Sequence, residues 1–382
     1  MTFERENVRR MGGYVPGEQP GRAVAKLNTN ENPFPPCGAV LAALAGIDAE
    51  LLRRYPDPTA WEFRSAAARL HGLTPDHIVA TNGGDELLRL ALTTFLPPGA
   101  PLGVAEPSYS LYPVLAAVHD SPLCPVPLAD DWSVPADIAR RWNRAGARLA
   151  ILVNPHAPSG RLTSVGELAA IARAFEGVLV IDEAYVDFVD PGMAHDGIAL
   201  VRECDNVLLL RTMSKGYSLA GLRLGYGIGS PGLVAPMVSK TKDSYNVDVV
   251  AQRVGEAALR HRGEAAASWE FVRAERSRMA RELSARGFAC APSQANFLLA
   301  TMTSRPSGTA PRLLRGLADA GIFVRWFDQD RLRDSLRITI GTTAENDALL
   351  EALAASPDNG CQWKEVGAAG RELGFLNQEQ EV

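Results

Sequence analysis

Short, wholly apolar runs recur at intervals through the first two thirds of the chain. Residues 149–153, 178–181 and 207–210 carry an apolar side chain at every position, which is typical of strands buried on both faces of a sheet. Two further four-residue segments, 78–81 and 102–105, also predict strands. Amphipathic stretches separate the runs and predict helices. The pattern therefore predicts an α/β fold with a mostly parallel central sheet flanked by helices.

The predicted helices of this part occupy residues 38–52, 61–70, 86–95 and 165–175. The chain then becomes strongly helical, with helices predicted at 254–259 and 264–285. Beyond residue 285 the pattern predicts a smaller α+β domain, with strands at 295–300, 322–325 and 335–341 and a helix at 310–320. The charged helix 264–285 is expected to be a solvated connection rather than a binding surface. The expected organisation is an arm with the start of the small domain (1–45), a large domain (46–255), the small domain (256–355) and a polar tail (356–382).

Composition and charge narrow the class of protein. The 382 residues are 46% hydrophobic and 22% charged, as in ordinary globular proteins, and the formal net charge of -5 argues against nucleic acid or an acidic membrane as partner. The five cysteines form no CxxC pair, so the sequence predicts no metal site and no disulfide framework. No apolar run is long enough to span a bilayer. We expect a soluble, cytoplasmic protein.

One lysine stands in a stretch suited to covalent chemistry. Lys215 follows the apolar run 207–210, with Thr212 and Ser214 before it and Arg223 eight residues after it. A lysine of this kind forms an imine with an aldehyde cofactor, and the hydroxyls and the arginine would hold the phosphate of that cofactor. The alternative reading of the stretch alone is a surface lysine in a loop.

Polar and aromatic residues also follow other predicted strands. Asp182 comes directly after the apolar run 178–181, at the strand end that faces the ligand crevice in α/β proteins. The turn 82–85 leads from a strand into a helix, and its glycines would let an anion reach the free N–H groups of that helix. Tyr109, just past the strand 102–105, could stack on a flat ring or be a buried aromatic.

Two arginines and one glycine-rich segment complete the candidate chemistry. Arg325 and Arg337 each lie in or at the end of an apolar strand, where an unpaired charge is costly, so we expect one of them to bind a ligand. The segment 225–229 lacks the last glycine of the dinucleotide fingerprint, which argues against a nucleotide site there.

Together these motifs resemble the fold-type I aminotransferases that use pyridoxal 5'-phosphate, and among them the histidinol-phosphate aminotransferases. The resemblance covers about residues 13–353. Two segments carry most of it: Ser214-Lys215 with residues 219–223, and residues 27–33, Leu-Asn-Thr-Asn-Glu-Asn-Pro. Residues 55–58, 182–185 and 336–341 support it. The resemblance implies that the large domain binds pyridoxal phosphate and that the chain forms a homodimer with shared active sites.

The resemblance also implies a role for each site residue. Lys215, Asp182 and Tyr185 would be catalytic: the lysine bonds to the cofactor and moves the substrate proton, the aspartate pairs with the ring nitrogen, and the tyrosine bonds the phenolic oxygen. Other residues would bind the cofactor's ring or phosphate: Gly84, Asp85, Tyr109, His156, Thr212, Ser214, Arg223 and, from the partner subunit, Tyr55. Substrate would be bound by Tyr14, Asn30, Tyr245, Asn246, Arg325 and Arg337, with Arg337 holding a carboxylate and Arg325 a phosphate.

One position departs from the family pattern. Where the family usually has an asparagine that donates to the phenolic oxygen, this chain has Ala157. Either the flanking His156 substitutes for it or Tyr185 acts alone.

Three functions remain open at this point. The first is transamination between L-histidinol phosphate and 2-oxoglutarate. Because related enzymes use similar pockets for aromatic amino acids, an aromatic amino acid is the alternative donor. The second is decarboxylation of a threonine-phosphate type of substrate, which would release carbon dioxide. The third is a non-catalytic cofactor-binding module, against which the presence of Lys215, Asp182 and Arg337 argues.

Overall fold

A computed structural model describes residues 3–303 and 308–355 of the chain. The strands within these residues are β1 (Ala25–Lys26), β2 (Ile78–Thr81), β3 (Leu102–Glu106), β4 (Leu123–Pro127), β5 (Leu149–Val153), β6 (Val178–Asp182), β7 (Val207–Thr212), β8 (Gly225–Gly229), β9 (Phe288–Cys290), β10 (Phe297–Met302), β11 (Ile322–Phe323) and β12 (Ser335–Thr339). The polar tail predicted at 356–382 lies outside the described residues.

The helices of the same residues are α1 (Glu6–Arg10), α2 (Gly38–Ala45), α3 (Ala49–Leu52), α4 (Trp61–His71), α5 (Gly83–Phe95), α6 (Leu111–His119), α7 (Ile138–Arg144), α8 (Val165–Ala174), α9 (Gly197–Glu203), α10 (Pro231–Pro236), α11 (Val249–Arg260), α12 (Arg262–Ala285), α13 (Thr309–Asp319) and α14 (Thr343–Ala355). None of these described helices combines the length and the apolar character that a bilayer crossing requires.

A seven-stranded sheet in the order β2-β8-β7-β6-β5-β3-β4 forms the centre of the molecule. All its neighbouring strands are parallel except β8, which runs antiparallel to both β2 and β7. Alternate residues of β7 pack into different clusters: Leu208 and Leu210 into one with α5 and α6, Val207 and Leu209 into the other. The predicted α/β fold with helices on both faces is confirmed.

The sheet brings several strand ends to one edge. The last residues of β5 and β6 are register partners, Val153 with Asp182, and Asp182 pairs in turn with Leu210 of β7. On the other side, Gly225 pairs with Thr212 of β7 and with Thr81 of β2. The turn after β2, which starts α5, therefore reaches the edge that carries Asp182 and the lysine loop.

Gly225 allows this turn to come close. A Cβ at Gly225 would lie 2.8 Å from the carbonyl carbon of Gly83 and 3.0 Å from the nitrogen of Gly84. A side chain there would push the N-terminus of α5 away from β8, so the glycine-rich segment has a packing role.

A second, three-stranded antiparallel sheet in the order β12-β10-β9 lies in the C-terminal part, and β1 pairs in parallel with β11. This confirms the smaller α+β unit. The long helix α12 has the exposed charged face that its sequence indicates, but it also buries Trp269, Val272 and Met279. Its Arg276 donates to the carbonyl oxygens of Phe188 and Ala295 at 2.9 and 2.8 Å, so the helix is packed rather than only a solvated connection.

Candidate active site

Lys215 lies in the loop that joins β7 to β8, three residues beyond the end of β7. Its partly buried Nζ donates a hydrogen bond to the carbonyl oxygen of Thr29 at 2.8 Å. Burial and the nearby Arg337 and Arg223 lower the pKa of the Lys215 amine to about 8, against the opposing charge of Glu31. An appreciable fraction of this amine is therefore neutral near physiological pH.

Asp182 is buried at the C-terminal end of β6, facing the same cavity as Lys215. One carboxylate oxygen accepts a hydrogen bond from the hydroxyl of Tyr112 at 2.8 Å, and the other accepts from the backbone N–H of Ala184 at 3.1 Å. Burial raises the pKa of Asp182 to about 6, although both hydrogen bonds favour the charged form.

Tyr185 reaches the cavity from the turn after β6. Its hydroxyl accepts a hydrogen bond from the Asn30 side-chain amide at 3.0 Å. Asn30 has a left-handed backbone (φ 56°), and both its N–H and its side-chain oxygen are bonded to the hydroxyl of Thr339 at 3.0 Å. The N-terminal segment is thereby fixed between β12 and Tyr185, and burial raises the pKa of Tyr185.

An anion cradle lies on the other side of the lysine. The N-terminal residues of α5, Gly84 and Asp85, line the cavity beside Thr212 and Ser214, whose hydroxyls are 2.9 Å apart. Arg223 completes the cradle and holds Asp85 at 3.3 Å. These groups combine free helix N–H donors, hydroxyls and a guanidinium, which are the donors that bind phosphate.

Gly83 makes the approach of the arginine possible. It has φ +77°, and a Cβ there would lie 2.8 Å from Nη2 of Arg223. Any side chain at this position would displace the guanidinium from the helix N-terminus.

Arg337 and Arg325 line the cavity together with Phe327. Nη2 of Arg337 donates to the carbonyl oxygen of Asn28 at 2.9 Å. Its Nε is buried, and among the described residues no acceptor lies within hydrogen-bond distance of it. Arg325 reaches the carbonyl oxygens of the N-terminal arm, with Val15 at 3.3 Å and Pro16 at 3.4 Å.

Tyr109 and Tyr14 form an aromatic wall of the cavity. Their rings meet edge to face with centroids 5.9 Å apart, and Tyr109 meets Tyr112 in the same way at 5.6 Å. Tyr109 is partly buried, which raises its pKa and keeps its hydroxyl neutral. Tyr109 also lines the cavity.

The structure brings Ala157, but not the imidazole of His156, to the cavity. His156 is buried, and its Nε2 donates to the carbonyl oxygen of Pro107 at 2.8 Å. Because Nε2 carries the proton, Nδ1 is the acceptor, and it takes a hydrogen bond from the Ser159 hydroxyl at 2.7 Å. Both ring nitrogens are thus used within the protein, while Ala157 lines the cavity.

Three further residues from the sequence analysis lie away from the cavity of their own chain. Tyr55 is 82% exposed and stacks on Tyr245, with centroids 4.5 Å apart. The side chain of Asn246 donates to the carbonyl oxygen of Ala80 and to Glu86, at 2.9 and 3.1 Å. Their predicted binding roles stay predictions.

Sequence reasoning missed some residues of the cavity. Tyr112, Thr29 and Phe327 contact the reactive groups or line the wall, and none of them was singled out. For Tyr112 a signal was available: it follows Tyr109 by three residues across the turn that begins α6, and the two rings meet.

The site agrees with what comparison with known proteins shows. Residues 22–353 match the model of the family Aminotransferase class I and II. The chain belongs to this aminotransferase family.

The relatives include histidinol-phosphate aminotransferase 1 of Nostoc sp., 42% identical over 92% of this chain and 97% of the relative. The histidinol-phosphate aminotransferase of Synechocystis sp. is 40% identical over 93% of this chain and 98% of its own length. Among solved structures, the histidinol-phosphate aminotransferase of Sinorhizobium meliloti in complex with pyridoxal-5'-phosphate superposes with a TM-score of 0.85 at 26% identity, covering 93% of this chain and 98% of its own. The aminotransferase family and the fold predicted from the motifs are therefore confirmed.

Proposed function

We propose that the protein is a pyridoxal-phosphate-dependent histidinol-phosphate aminotransferase, which moves the amino group of L-histidinol phosphate to 2-oxoglutarate in histidine biosynthesis. The observation that carries the reaction class is the meeting of Lys215, Asp182 and an anion cradle in one cavity. The substrate is supported by the relatives at 40–42% identity, which are histidinol-phosphate aminotransferases.

The cavity fits this cofactor. The N-terminus of α5 with Thr212, Ser214 and Arg223 would hold its phosphate, and Tyr109 would cover its ring. The close approach of Arg223 to Gly83, which a Cβ would block, is an arrangement that suits a bound anion. When bound, pyridoxal phosphate supplies an aldehyde that bonds to amines and a ring that accepts electron density from the substrate Cα.

Lys215 would have two tasks. An amine bonds to an aldehyde only when it is neutral, and a pKa of about 8 gives Lys215 a substantial neutral fraction at pH 7–8. With substrate bound, Nζ would be the base that accepts the proton of substrate Cα and the acid that later donates it again. While the amine is free, its hydrogen bond to the carbonyl oxygen of Thr29 would keep Nζ inside the cavity.

Asp182 and Tyr185 would set the charge around the cofactor ring. An ionised Asp182 holds a proton on the ring nitrogen by charge pairing, and the donors Tyr112 and Ala184 favour that ionised form. Tyr185 is fixed by Asn30, so its hydroxyl can donate to the phenolic oxygen of the ring while accepting from the amide.

The two arginines would bind the anionic ends of the substrates. L-Histidinol phosphate has a phosphate and no carboxylate, whereas 2-oxoglutarate has two carboxylates. The free Nε of Arg337 and its planar fork suit a carboxylate, and Arg325, which lines the same cavity, suits the distal phosphate. One cavity can thus accept both substrates in turn.

A homodimer completes the proposal. Tyr55 is largely exposed and lies away from its own cavity, as a residue that serves the partner's phosphate cradle would. The stacked pair of Tyr55 and Tyr245 would then lie at the interface, beside the partner's site. A biosynthetic role would place the enzyme in the cytoplasm.

A panel of amino donors tests the proposal. Purified protein with pyridoxal phosphate and 2-oxoglutarate should form glutamate with the highest kcat/KM for L-histidinol phosphate, compared with histidinol, phenylalanine, tyrosine and threonine phosphate. A preference for the aromatic amino acids would assign a different substrate within the same reaction class. Carbon dioxide release from threonine phosphate without glutamate formation would replace transamination by decarboxylation.

A further inference from the structure

Tyr112 forms a hydrogen bond with Asp182 from the face of the sheet on which α5 and α6 pack. It is the second residue of α6 and only 1% exposed, and its hydroxyl donates to Oδ2 of Asp182 at 2.8 Å. The ring is locked edge to face against Tyr109, with centroids 5.6 Å apart and planes at 87°. A buried hydroxyl with a fixed ring has little freedom to make another bond.

The two oxygens of Asp182 are held on different sides. Tyr112 occupies Oδ2, and the backbone N–H of Ala184 occupies Oδ1 at 3.1 Å. The sheet neighbours of Asp182 are the apolar Val153 and Leu210. The carboxylate therefore takes its orientation from these two donors alone among the residues beside it in the sheet and the turn.

Burial and two neighbouring acidic residues oppose the ionisation of Asp182. Asp85 on α5 and Glu183, the next residue in the chain, both raise the pKa of Asp182 in addition to its burial. Tyr185 lies near Asp182 as a neutral phenol, because burial raises its pKa. The hydrogen bonds from Tyr112 and from the backbone N–H of Ala184 act in the opposite direction and favour the charged carboxylate.

We propose that Tyr112 is a positioning residue that keeps the Asp182 carboxylate ionised and aimed at the cofactor ring nitrogen. The inference rests on the proposed function, because it concerns the pairing of Asp182 with pyridoxal phosphate. A hydroxyl that donates to a carboxylate stabilises the anion and makes it a weaker base. Without this donor the proton shared by Asp182 and the ring nitrogen would move toward the carboxylate, and the ring would lose positive charge.

Tyr112 also connects this bond to the ring-covering wall. The backbone N–H of Tyr112 bonds to the carbonyl oxygen of Tyr109 at 3.1 Å, so the two residues form one turn at the start of α6. A single turn would therefore place both the aromatic face that covers the cofactor and the hydroxyl that orients Asp182.

The test is the nitrogen-15 NMR signal of the cofactor ring in the holoenzyme, loaded with ring-labelled pyridoxal phosphate. Tyr112→Phe keeps the aromatic packing and removes only the hydroxyl. It should move the signal toward that of a neutral pyridine. The population with the proton on the ring nitrogen, relative to that with the proton on Asp182, should fall by about ten- to a hundred-fold. In an Asp182→Asn background the same substitution should leave the signal where Asp182→Asn alone puts it.

Tyr226→Phe is the matched control. Tyr226 is also buried, and its hydroxyl is bonded to Nε2 of His71 at 3.1 Å, outside the cavity. Both variants lose one buried hydrogen bond, so similar decreases in Tm are expected, but only Tyr112→Phe should move the nitrogen signal. An unchanged signal in Tyr112→Phe, or equal changes in both variants, would overturn the inference. A wild-type protein that binds no pyridoxal phosphate would instead overturn the proposed function, and this inference with it.

Discussion

Arg325 and Arg337 face each other across an antiparallel bridge, in which each backbone N–H donates to the other's carbonyl oxygen, at 3.0 and 2.8 Å. Both guanidinium groups line one cavity, and burial, together with the charge of Arg325, lowers the pKa of Arg337. Two like charges in a partly buried site are costly unless an anion joins them. The bridge thus pre-forms a site for ligands with two anionic groups, or for two ligands that carry different anions.

Arg325→Ala should lower kcat/KM for L-histidinol phosphate much more than for a donor without a phosphate. Loss of a charge-assisted contact corresponds to about 1.5–3 kcal/mol, or roughly one to two decades in kcat/KM, whereas histidinol without phosphate should change little. The measurement is the ratio of kcat/KM for the two donors in each variant. Arg333→Ala is the control, because Arg333 is exposed and bonded to Asp328 and Asp330. Equal losses for both donors in Arg325→Ala would mean that Arg325 only holds the N-terminal arm.

Lys215 should carry the cofactor. Borohydride reduction of the yellow enzyme should attach the cofactor covalently to Lys215, and peptide mapping would locate this label. The transamination rate of Lys215→Ala should be lower by orders of magnitude. Because the pKa of the amine is lowered to about 8, its neutral fraction grows as pH rises, so the apoenzyme should capture pyridoxal phosphate faster from pH 7 to 9. A label on Lys240 or Lys242 would contradict the assignment.

Hybrid dimers test the shared sites. A Lys215→Ala chain and a Tyr55→Ala chain should each form a poorly active homodimer, and mixing them should restore activity, because one of the two sites in a hybrid has an intact lysine and an intact tyrosine. The measurement is activity after subunit exchange, with hybrids quantified by native mass spectrometry. Hybrids that form without any gain in activity would show that Tyr55 does not serve the partner's site.

Ala157→Asn should lower the pH at which the absorbance of the bound cofactor changes. An amide that donates to the phenolic oxygen stabilises its anion and reduces the proton affinity of the adjacent imine nitrogen. His156→Ala should not raise that pH, since both ring nitrogens of His156 are bonded to Ser159 and Pro107. If His156→Ala raised this pH and Ala157→Asn left it unchanged, the histidine would be the residue that sets the proton affinity of the imine nitrogen.

The sequence predicted the central sheet well because its strands are buried on both faces. Continuous apolar runs such as 149–153 allow few other structures, and the polar residue after each run marks a strand end. The edge strand β4 was missed because it contains Pro125 and Pro127, which edge positions tolerate but which remove it from any strand pattern. The predicted helix 38–52 is two helices, with Gly46 ending α2 and the Asp48 side chain capping α3.

Residues of the cavity were predictable where a motif or a strand end places them, as for Asp182 and Lys215. The contact between Tyr112 and Asp182 joins residues 70 positions apart, and no local pattern indicates it. The direction of His156 was equally out of reach, because it depends on the carbonyl oxygen of Pro107 in another loop. Long-range hydrogen bonds of single side chains are thus the part of the site that required the structure.

Transfer of a labelled nitrogen tests the proposed function most directly. The wild-type enzyme with pyridoxal phosphate would be incubated with L-histidinol phosphate labelled with nitrogen-15 at its amino group and with 2-oxoglutarate. Transamination should give labelled glutamate in a one-to-one ratio with the ketone formed from the donor, with no release of carbon dioxide. Lys215→Ala should form neither product. Donor consumption without label in glutamate, or no reaction while another amino donor transfers its nitrogen efficiently, would contradict the proposal.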